Sequence, residues 1–403
     1  MNPVPEWPAT LDVAALLTGG WRPTPFRQFI LKIHSRCDLA CAYCYVYEHA
    51  DQSWRDQPRR MTPDTVKLAA SRIAEHVETH GLASVEIVLH GGEPLLAGPE
   101  WTGDLVRTLR AEIPARVEVV TQTNGTLLDD RFLDLFAELD VGVGVSLDGT
   151  AEAHDRWRRT PDGRGSHARV AAALERLASP RYRMVFRGLL CAADPATDPI
   201  ETYRALLAFA PPTIDFLLPH ATWAAPPVRT TATPYADWLI AIFDEWYRTR
   251  PAGVRLFDEI LLLLLGGAST TEQVGLSPAA MVVVETDGQL ELSDILKVAY
   301  QGAPSTGLHL QHDSFDDALR LPGVAARQIG ALALAGQCAA CPVRKVCGGG
   351  HYAHRYRPGS GFRNPSVYCP DLLRLITHIG DVVRADVGAA AADLALTDHK
   401  EAR

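Results

Sequence analysis

The sequence predicts an α/β protein built on a partial (β/α)6 barrel, with a smaller cysteine-bearing module after it. Three observations carry that prediction. Six apolar, strand-like runs alternate with five helix-like segments across residues 28–222. Residues able to bind ligands recur directly after those runs. Seven of the eight cysteines fall into two groups with metal-ligand spacing, one toward each end of the chain.

Residues 1–27 are rich in proline and tryptophan, with a short helical patch near Leu11–Leu17. They read as a segment packed on the main domain, too short for an independent peptide-binding domain. The runs Phe29–Ile33, Val85–Leu89, Val117–Val120, Val141–Leu147, Met184–Leu190 and Ile214–Leu218 read as buried strands. Helices are expected near Asp64–Thr79, Gly103–Glu112, Asp129–Leu139, His167–Leu177 and Ile200–Ala210, the first capped by Thr62 ahead of Pro63. This alternation needs parallel pairing through right-handed crossovers. Ligands of such barrels gather at the C-terminal strand ends. Residues 223–279 depart from the pattern: Pro226, Pro227 and Pro234 interrupt regular structure, and Tyr235–Tyr247 and Val254–Leu265 then read as helices of a bridge. Residues 280–403 form the second module, ending in a helix.

A chain of 403 residues with 47% hydrophobic and 22% charged content has room for a sizeable core. The net charge of −9 gives no reason to expect a nucleic-acid partner. The longest apolar run, Ile260–Leu265, is too short to span a membrane, and no basic start leads into an apolar signal segment. Clustered cysteines argue for a reducing, cytoplasmic setting; the isolated Cys191 is expected to pack as a small apolar residue in strand five.

The strand ends carry the chemistry. Strand one runs into Cys37-Asp-Leu-Ala-Cys41-Ala-Tyr43-Cys44. Three thiolates this close suit a soft metal or three irons of a [4Fe–4S] cube, with no fourth ligand from the same loop. Strand two ends at His90-Gly91-Gly92-Glu93-Pro94, strand three at Thr123-Asn124-Gly125 and strand four at Ser146-Leu147-Asp148-Gly149. Adjacent glycines allow close backbone approach to a ligand, and a carboxylate accepts from an ammonium group. Singly these are ordinary turn signals; in series behind a thiol loop they point to a cofactor site. After strand six, His220 and Trp223 stand near the expected mouth, with simple packing favoured for Trp223 and a satisfied buried imidazole equally open for His220. Near the C-terminus, Cys338, Cys341, Cys347 and Cys369 supply four thiolates, which on spacing alone suit zinc or a [4Fe–4S] cluster alike.

The thiol loop, with Tyr43 before its last cysteine, resembles the signature loop of radical S-adenosylmethionine (SAM) enzymes. That resemblance implies a partial (β/α)6 TIM-like radical SAM barrel. It implies a [4Fe–4S] cluster on Cys37, Cys41 and Cys44 whose open iron binds the amino and carboxylate groups of SAM. Gly91, Gly92 and Glu93 are then expected to hold the methionine amine, Ser146 and Arg158 to contact ribose and carboxylate, and Tyr43 and Asn124 to complete the cofactor site. For Arg158, the neighbours Arg156 and Arg159 and a solvated basic loop remain alternatives.

The C-terminal spacing, with Gly348-Gly349-Gly350 after the third cysteine, resembles the SPASM (twitch-like) module of peptide-modifying radical SAM enzymes. The complete module carries two auxiliary clusters. Here Ser293 and His351 stand where cysteines are expected, and no cysteine lies between Cys191 and Cys338. The resemblance therefore implies one auxiliary [4Fe–4S] cluster, on Cys338, Cys341, Cys347 and Cys369, and two clusters in all. Asp294 follows Ser293 as a general-base aspartate does in sulfatase-maturating enzymes, which makes it the candidate to deprotonate substrate; partial burial raising its pKa would suit that role. A surface aspartate capping the next turn is the alternative, and Asp148 a weaker candidate base.

Over nearly the whole chain, Phe26–Cys37, Cys41–Tyr47, Phe216–Trp223 and Cys347–His354 are similar to FxsB-type SPASM peptide maturases. That likeness implies an oxidoreductase of RiPP biosynthesis that joins an aromatic ring carbon to a nearby β-carbon, forming a cyclophane in a ribosomally made precursor peptide. It implies an electron donor such as ferredoxin or flavodoxin. Formylglycine or thioether formation on the same scaffold is the alternative. A non-catalytic metal-binding module would need neither the Gly-Gly-Glu-Pro segment nor the other strand-end motifs.

Overall fold

The computed structural model describes residues 6–401, with side chains described over residues 6–386. After a short helix α1 (Val13–Thr18), strands β1 (Gln28–His34), β2 (Ser84–Gly91), β3 (Arg116–Thr123), β4 (Val141–Ser146), β5 (Phe186–Ala192) and β6 (Thr213–Leu217) pair in parallel in chain order. Helices α2 (Pro63–His80), α3 (Pro99–Glu112), α4 (Asp130–Glu138), α5 (Ala151–Trp157), α6 (His167–Leu177) and α7 (Pro199–Leu207) fill the crossovers. All six expected strands are present. The fifth begins later than its apolar run, because residues 183–185 form a 3-10 turn that leaves Met184 exposed.

Local chemistry explains the elements. Thr62 Oγ1 accepts from Thr65 N (3.1 Å) to start α2, and Gly81 ends it at φ +59°, a conformation that costs a residue without Cβ little. Strand β2 alternates: Val85, Ile87 and Leu89 are buried toward the helices, while Glu86, Val88 and His90 line the inner cavity. One apolar core runs through the barrel and takes in Leu372, Leu375, Ile376 and Ile379 of the C-terminal helix, Cys369–Glu401. Cys191 is fully buried in β5, where it packs as a small apolar residue.

The sheet continues past both barrel edges, which alternation alone did not foretell. Helix α8 (Pro234–Thr249) leads to the short β7 (Gly253–Val254), which pairs with β6, and on to α9 (Arg255–Leu264). At the other edge β8 (Met281–Val284) joins β1 in parallel, with β9 (Gln289–Glu291) and β10 (Ser305–His309) antiparallel beyond it. The second cysteine-bearing segment thus begins as the outer part of one ten-stranded sheet. A buried lysine fixes this hairpin. Lys297 Nζ lies 2.8 Å from Glu291 Oε1 and 3.2 Å from Glu285 Oε1, and its carbonyl accepts from Asp51 N (3.0 Å), just beyond the thiol loop.

Candidate active site

The loop after β1 turns Cys37, Cys41 and Cys44 toward a cavity of about 1270 Å3 on the inner side of the sheet. The segment after β2 holds the loop there. Gly92 N donates to His34 O (2.8 Å) and Glu93 N to Arg36 O (2.9 Å). A Cβ on Gly91 would sit 2.1 Å from His34 O, and one on Gly92 would sit 2.4 Å from Arg36 O and 1.9 Å from Tyr47 Oη. The close approach that these glycines permit is therefore made by the chain's own thiol loop. Burial raises the pKa of all three thiols, that of Cys41 to about 11. Such thiols ionise when a metal's positive charge replaces the lost solvent, so the set fits a metal cluster.

Glu93 is buried beside the loop, at 1% exposure. Its carboxylate accepts from Thr123 Oγ1 (2.6 Å), Asn124 N (2.8 Å) and Leu95 N (3.1 Å). Burial nevertheless outweighs these bonds and pushes its pKa up to about 7. Asn124 Nδ2 donates to Asp38 Oδ1 (2.8 Å) and lies 3.6 Å from Cys37 Sγ, tying the β3 end to the thiol loop. Ser146 Oγ accepts from Gln122 Nε2 (3.0 Å), and both line the cavity.

Arg158 also lines it, whereas Arg156 and Arg159 are exposed. The solvated-loop alternative for Arg158 is thereby overturned: Arg158 Nη1 donates to Tyr43 Oη (2.8 Å), and Tyr43 in turn donates to Asp148 Oδ2. Asp148 Oδ1 accepts from Ala192 N (3.0 Å), so the ends of β4 and β5 fix this chain of side chains.

Asp294 lies on the far wall, buried rather than at the surface (4% exposed). Lys32 Nζ donates to its Oδ2 at 2.7 Å and Tyr45 Oη to the same oxygen at 2.8 Å. Partial burial was expected to raise this carboxyl. Burial does act upward, but the Lys32 and His90 charges and the two hydrogen bonds outweigh it and hold the pKa well below the usual range. Sequence reasoning passed over Lys32 because it sits in the apolar β1 run. Behind Asp294, the edge of the His220 ring meets Tyr45 (centroids 5.1 Å), with His351 and His354 at 6.1 and 5.8 Å. Burial lowers all three imidazoles, that of His220 to about 4, so they are neutral. His220 faces the cavity with its Nδ1 unpartnered, while Trp223 is engaged elsewhere, donating to Pro365 O (2.8 Å) beneath the Arg357 guanidinium.

Cys338 and Cys347 sit on two short helical turns, Cys341 lies between them, and Cys369 opens the C-terminal helix. Gly348, Gly349 and Gly350 all have positive φ, and a Cβ on Gly348 would lie 1.6 Å from Gly275 O. Arg355 Nη2 donates to Gly348 O (2.7 Å) and Gly350 O (2.6 Å), bracing this turn next to Cys347. Among the described residues, no three thiols have sulfurs all within 4.8 Å of one another.

A parallel sheet thus carries a three-thiol loop and a buried carboxylate at its strand ends, an arrangement that suits a metal cluster beside a bound cationic group. Residues 31–186 match the Radical SAM superfamily, and the three-thiol loop lies within the matched part. The chain is similar to the serine-type anaerobic sulfatase-maturating enzyme of Bacteroides thetaiotaomicron, 24% identical over 60% of this chain and 63% of that protein's length. Among solved structures, native anSMEcpe with bound AdoMet superposes with a TM-score of 0.76 at 21% identity, over 87% of this chain and 96% of that one. Streptococcus suis SuiB bound to precursor peptide SuiA gives 0.58 at 14% identity, over 88% of this chain and 78% of that one. At these identities the two structures speak for the fold. Among the described residues, no helix is long and apolar enough to cross a membrane.

Proposed function

We propose that this protein is a radical SAM peptide-modifying enzyme that forms a cyclophane in a ribosomally made precursor peptide. The observation that carries the reading is one cavity of about 1270 Å3 that reaches from the thiol loop to Asp294 and the histidines. Such a volume exceeds a SAM-sized pocket and leaves room for a peptide side chain. Relatives support a peptide substrate: the Bacteroides protein is named a sulfatase-maturating enzyme, and SuiB is seen bound to a precursor peptide.

In this reading Cys37, Cys41 and Cys44 hold the SAM-binding [4Fe–4S] cluster. Glu93 accepts from the SAM ammonium, Asn124 steadies the loop, and Ser146, Tyr43 and Arg158 take its ribose and carboxylate. Bound together, cluster and SAM supply a strong hydrogen-atom abstractor. The chain aims one substrate C–H bond and keeps water away. Asp294, fixed through Oδ2 by Lys32 and Tyr45, keeps Oδ1 free of protein donors to receive a substrate proton. The thiols of Cys338, Cys341, Cys347 and Cys369 would hold one auxiliary cluster, which would supply an electron acceptor for a two-electron oxidation. An external reductant of the ferredoxin or flavodoxin class supplies the starting electron.

Formylglycine formation is the second reading, favoured by the name of the Bacteroides relative. Ser293 and His351 in place of two expected cysteines disfavour it. Co-expression with the neighbouring small open reading frame, followed by mass spectrometry of the peptide, decides. Loss of two hydrogens with an altered aromatic ring is expected. An aldehyde at serine or cysteine would replace this proposal with the second reading, and an unmodified peptide despite SAM cleavage would sink both.

A further inference from the structure

Away from the cavity, on the outer face of the barrel, α2 presents His76 and His80 one turn apart toward Asp316 of α10 (Phe315–Leu319). His76 Nδ1 lies 2.6 Å and His80 Nε2 2.9 Å from the same carboxylate oxygen, Asp316 Oδ1. We infer that these residues form a transition-metal site, of the class that takes zinc through two imidazoles and one carboxylate, clamping α2 of the barrel to the C-terminal half of the chain.

Four features carry this. An i, i+4 histidine pair puts both rings on one helix face. Two imidazoles and a carboxylate form a borderline donor set that first-row divalent ions favour, zinc among them. The three ligand atoms lie within 4.8 Å of one another; around an ion at about 2.1 Å they would stand about 3.0–3.4 Å apart, so the two histidine–carboxylate separations need to open by less than about 1 Å. The surroundings are one-sided. Phe26, Phe29 and Phe315 pack around His76 with centroids at 5.8, 5.9 and 6.1 Å, so burial keeps that imidazole neutral. His80 and Asp316, with side chains 24% and 34% exposed, leave a route in and room for water as the remaining ligands. As ligands, two imidazoles and one carboxylate bring a single negative charge to a dication. One turn earlier Arg72 Nε donates to Leu310 O (3.0 Å), so the two segments are already aligned there.

The test uses full-length enzyme with its iron–sulfur clusters reconstituted anaerobically. One equivalent of zinc chloride is added, the protein is desalted over a weak chelator, and zinc and iron are counted beside the zinc K-edge absorption spectrum. About one zinc per chain in a nitrogen and oxygen shell is expected, with a rise in Tm. His80→Ala and Asp316→Asn should each lower zinc affinity at least tenfold and remove the Tm rise while leaving iron content unchanged. No retained zinc, a sulfur shell, or equal zinc in both variants would overturn the site and leave a hydrogen-bonded His–Asp cluster. Should a variant fail to fold, the wild-type absorption edge still decides. Nothing here depends on the peptide reaction, so failure of one reading leaves the other standing.

Discussion

Lys32 Nζ and Asp294 Oδ2 stand 2.7 Å apart, both almost fully buried, although 262 residues separate them in the chain. The pair joins the first barrel strand to the turn after the outer hairpin, and it fixes the carboxylate that faces the cavity. Breaking it leaves a buried carboxylate without its cation, at a cost of about 3–5 kcal/mol.

Lys32→Met tests this through pH. In the wild type the folded-state pKa of Asp294 lies below the ordinary 3.8. Its stabilisation is therefore fully present above about pH 4 and lost as pH falls through the folded value. Activity should show no acid limb from Asp294 between about pH 5 and 8. In the variant burial dominates and the carboxyl titrates upward, so product formation should gain an acid limb and Tm should fall. A variant with the wild-type pH profile would show that Asp294 does not take the proton.

Glu93 carries the opposite sign. Burial lifts its pKa from 4.5 to about 7, a displacement worth about 3 kcal/mol against the ionised form. Without a bound cation, Tm should fall as pH rises from about 5 to 7.5, and Glu93→Gln should flatten that fall. SAM affinity should run the other way, weakening as pH drops below about 7 because the neutral acid no longer attracts an ammonium. Calorimetric titration checks both. Glu93→Gln should bind SAM roughly 10- to 100-fold more weakly with no pH dependence in this range; unchanged affinity would remove Glu93 from the SAM site.

The cysteine groups and the strand-end motifs were legible because each is local. Apolar runs of strand length, the Thr62 cap and the turn glycines follow from short-range chemistry. Lys32 was not legible: a lone lysine among apolar strand residues gives no sign of a carboxylate 262 residues away. Lys297 hid for the same reason: nothing local marks Glu285 and Glu291 as its partners, and only the folded sheet buries the three together. Gly91 and Gly92 were recognised, but the atoms that crowd them belong to His34, Arg36 and Tyr47, and sequence order does not show that contact. The pairing of β8 with β1 was likewise hidden, since it depends on β1 being left with a free edge by the open arrangement of the six barrel strands.

Cys338→Ala separates the two candidate clusters. Iron should fall from about eight to about four per chain, in line with one lost [4Fe–4S] cluster. Reductive SAM cleavage should persist, because Cys37, Cys41 and Cys44 are untouched, while peptide product should drop at least tenfold. Full iron content would show that Cys338 is not a ligand, and about four irons with one zinc in the wild type would show that the C-terminal thiols hold zinc instead of a cluster.

Gly92→Ala tests whether the thiol loop owes its position to the segment after β2. The added methyl would meet Tyr47 Oη at 1.9 Å and the Arg36 carbonyl oxygen at 2.4 Å, and one of these is backbone that cannot swing aside. The loop must retreat, breaking the Gly92 N to His34 O and Glu93 N to Arg36 O hydrogen bonds. Overpacking of this kind costs about 1–3 kcal/mol, a loss that the whole chain can survive but a three-point ligand set cannot absorb. Iron at the first cluster should fall well below that of Cys338→Ala's remaining cluster, with SAM cleavage lost and the auxiliary iron retained. Gly380→Ala, whose added methyl would make only an ordinary contact with Leu264 at 3.7 Å and which, like Gly92, is not at positive φ, is the control and should keep full iron. Equal iron in the two variants would show that the loop is positioned by its own turns and not by the Gly91-Gly92-Glu93 segment.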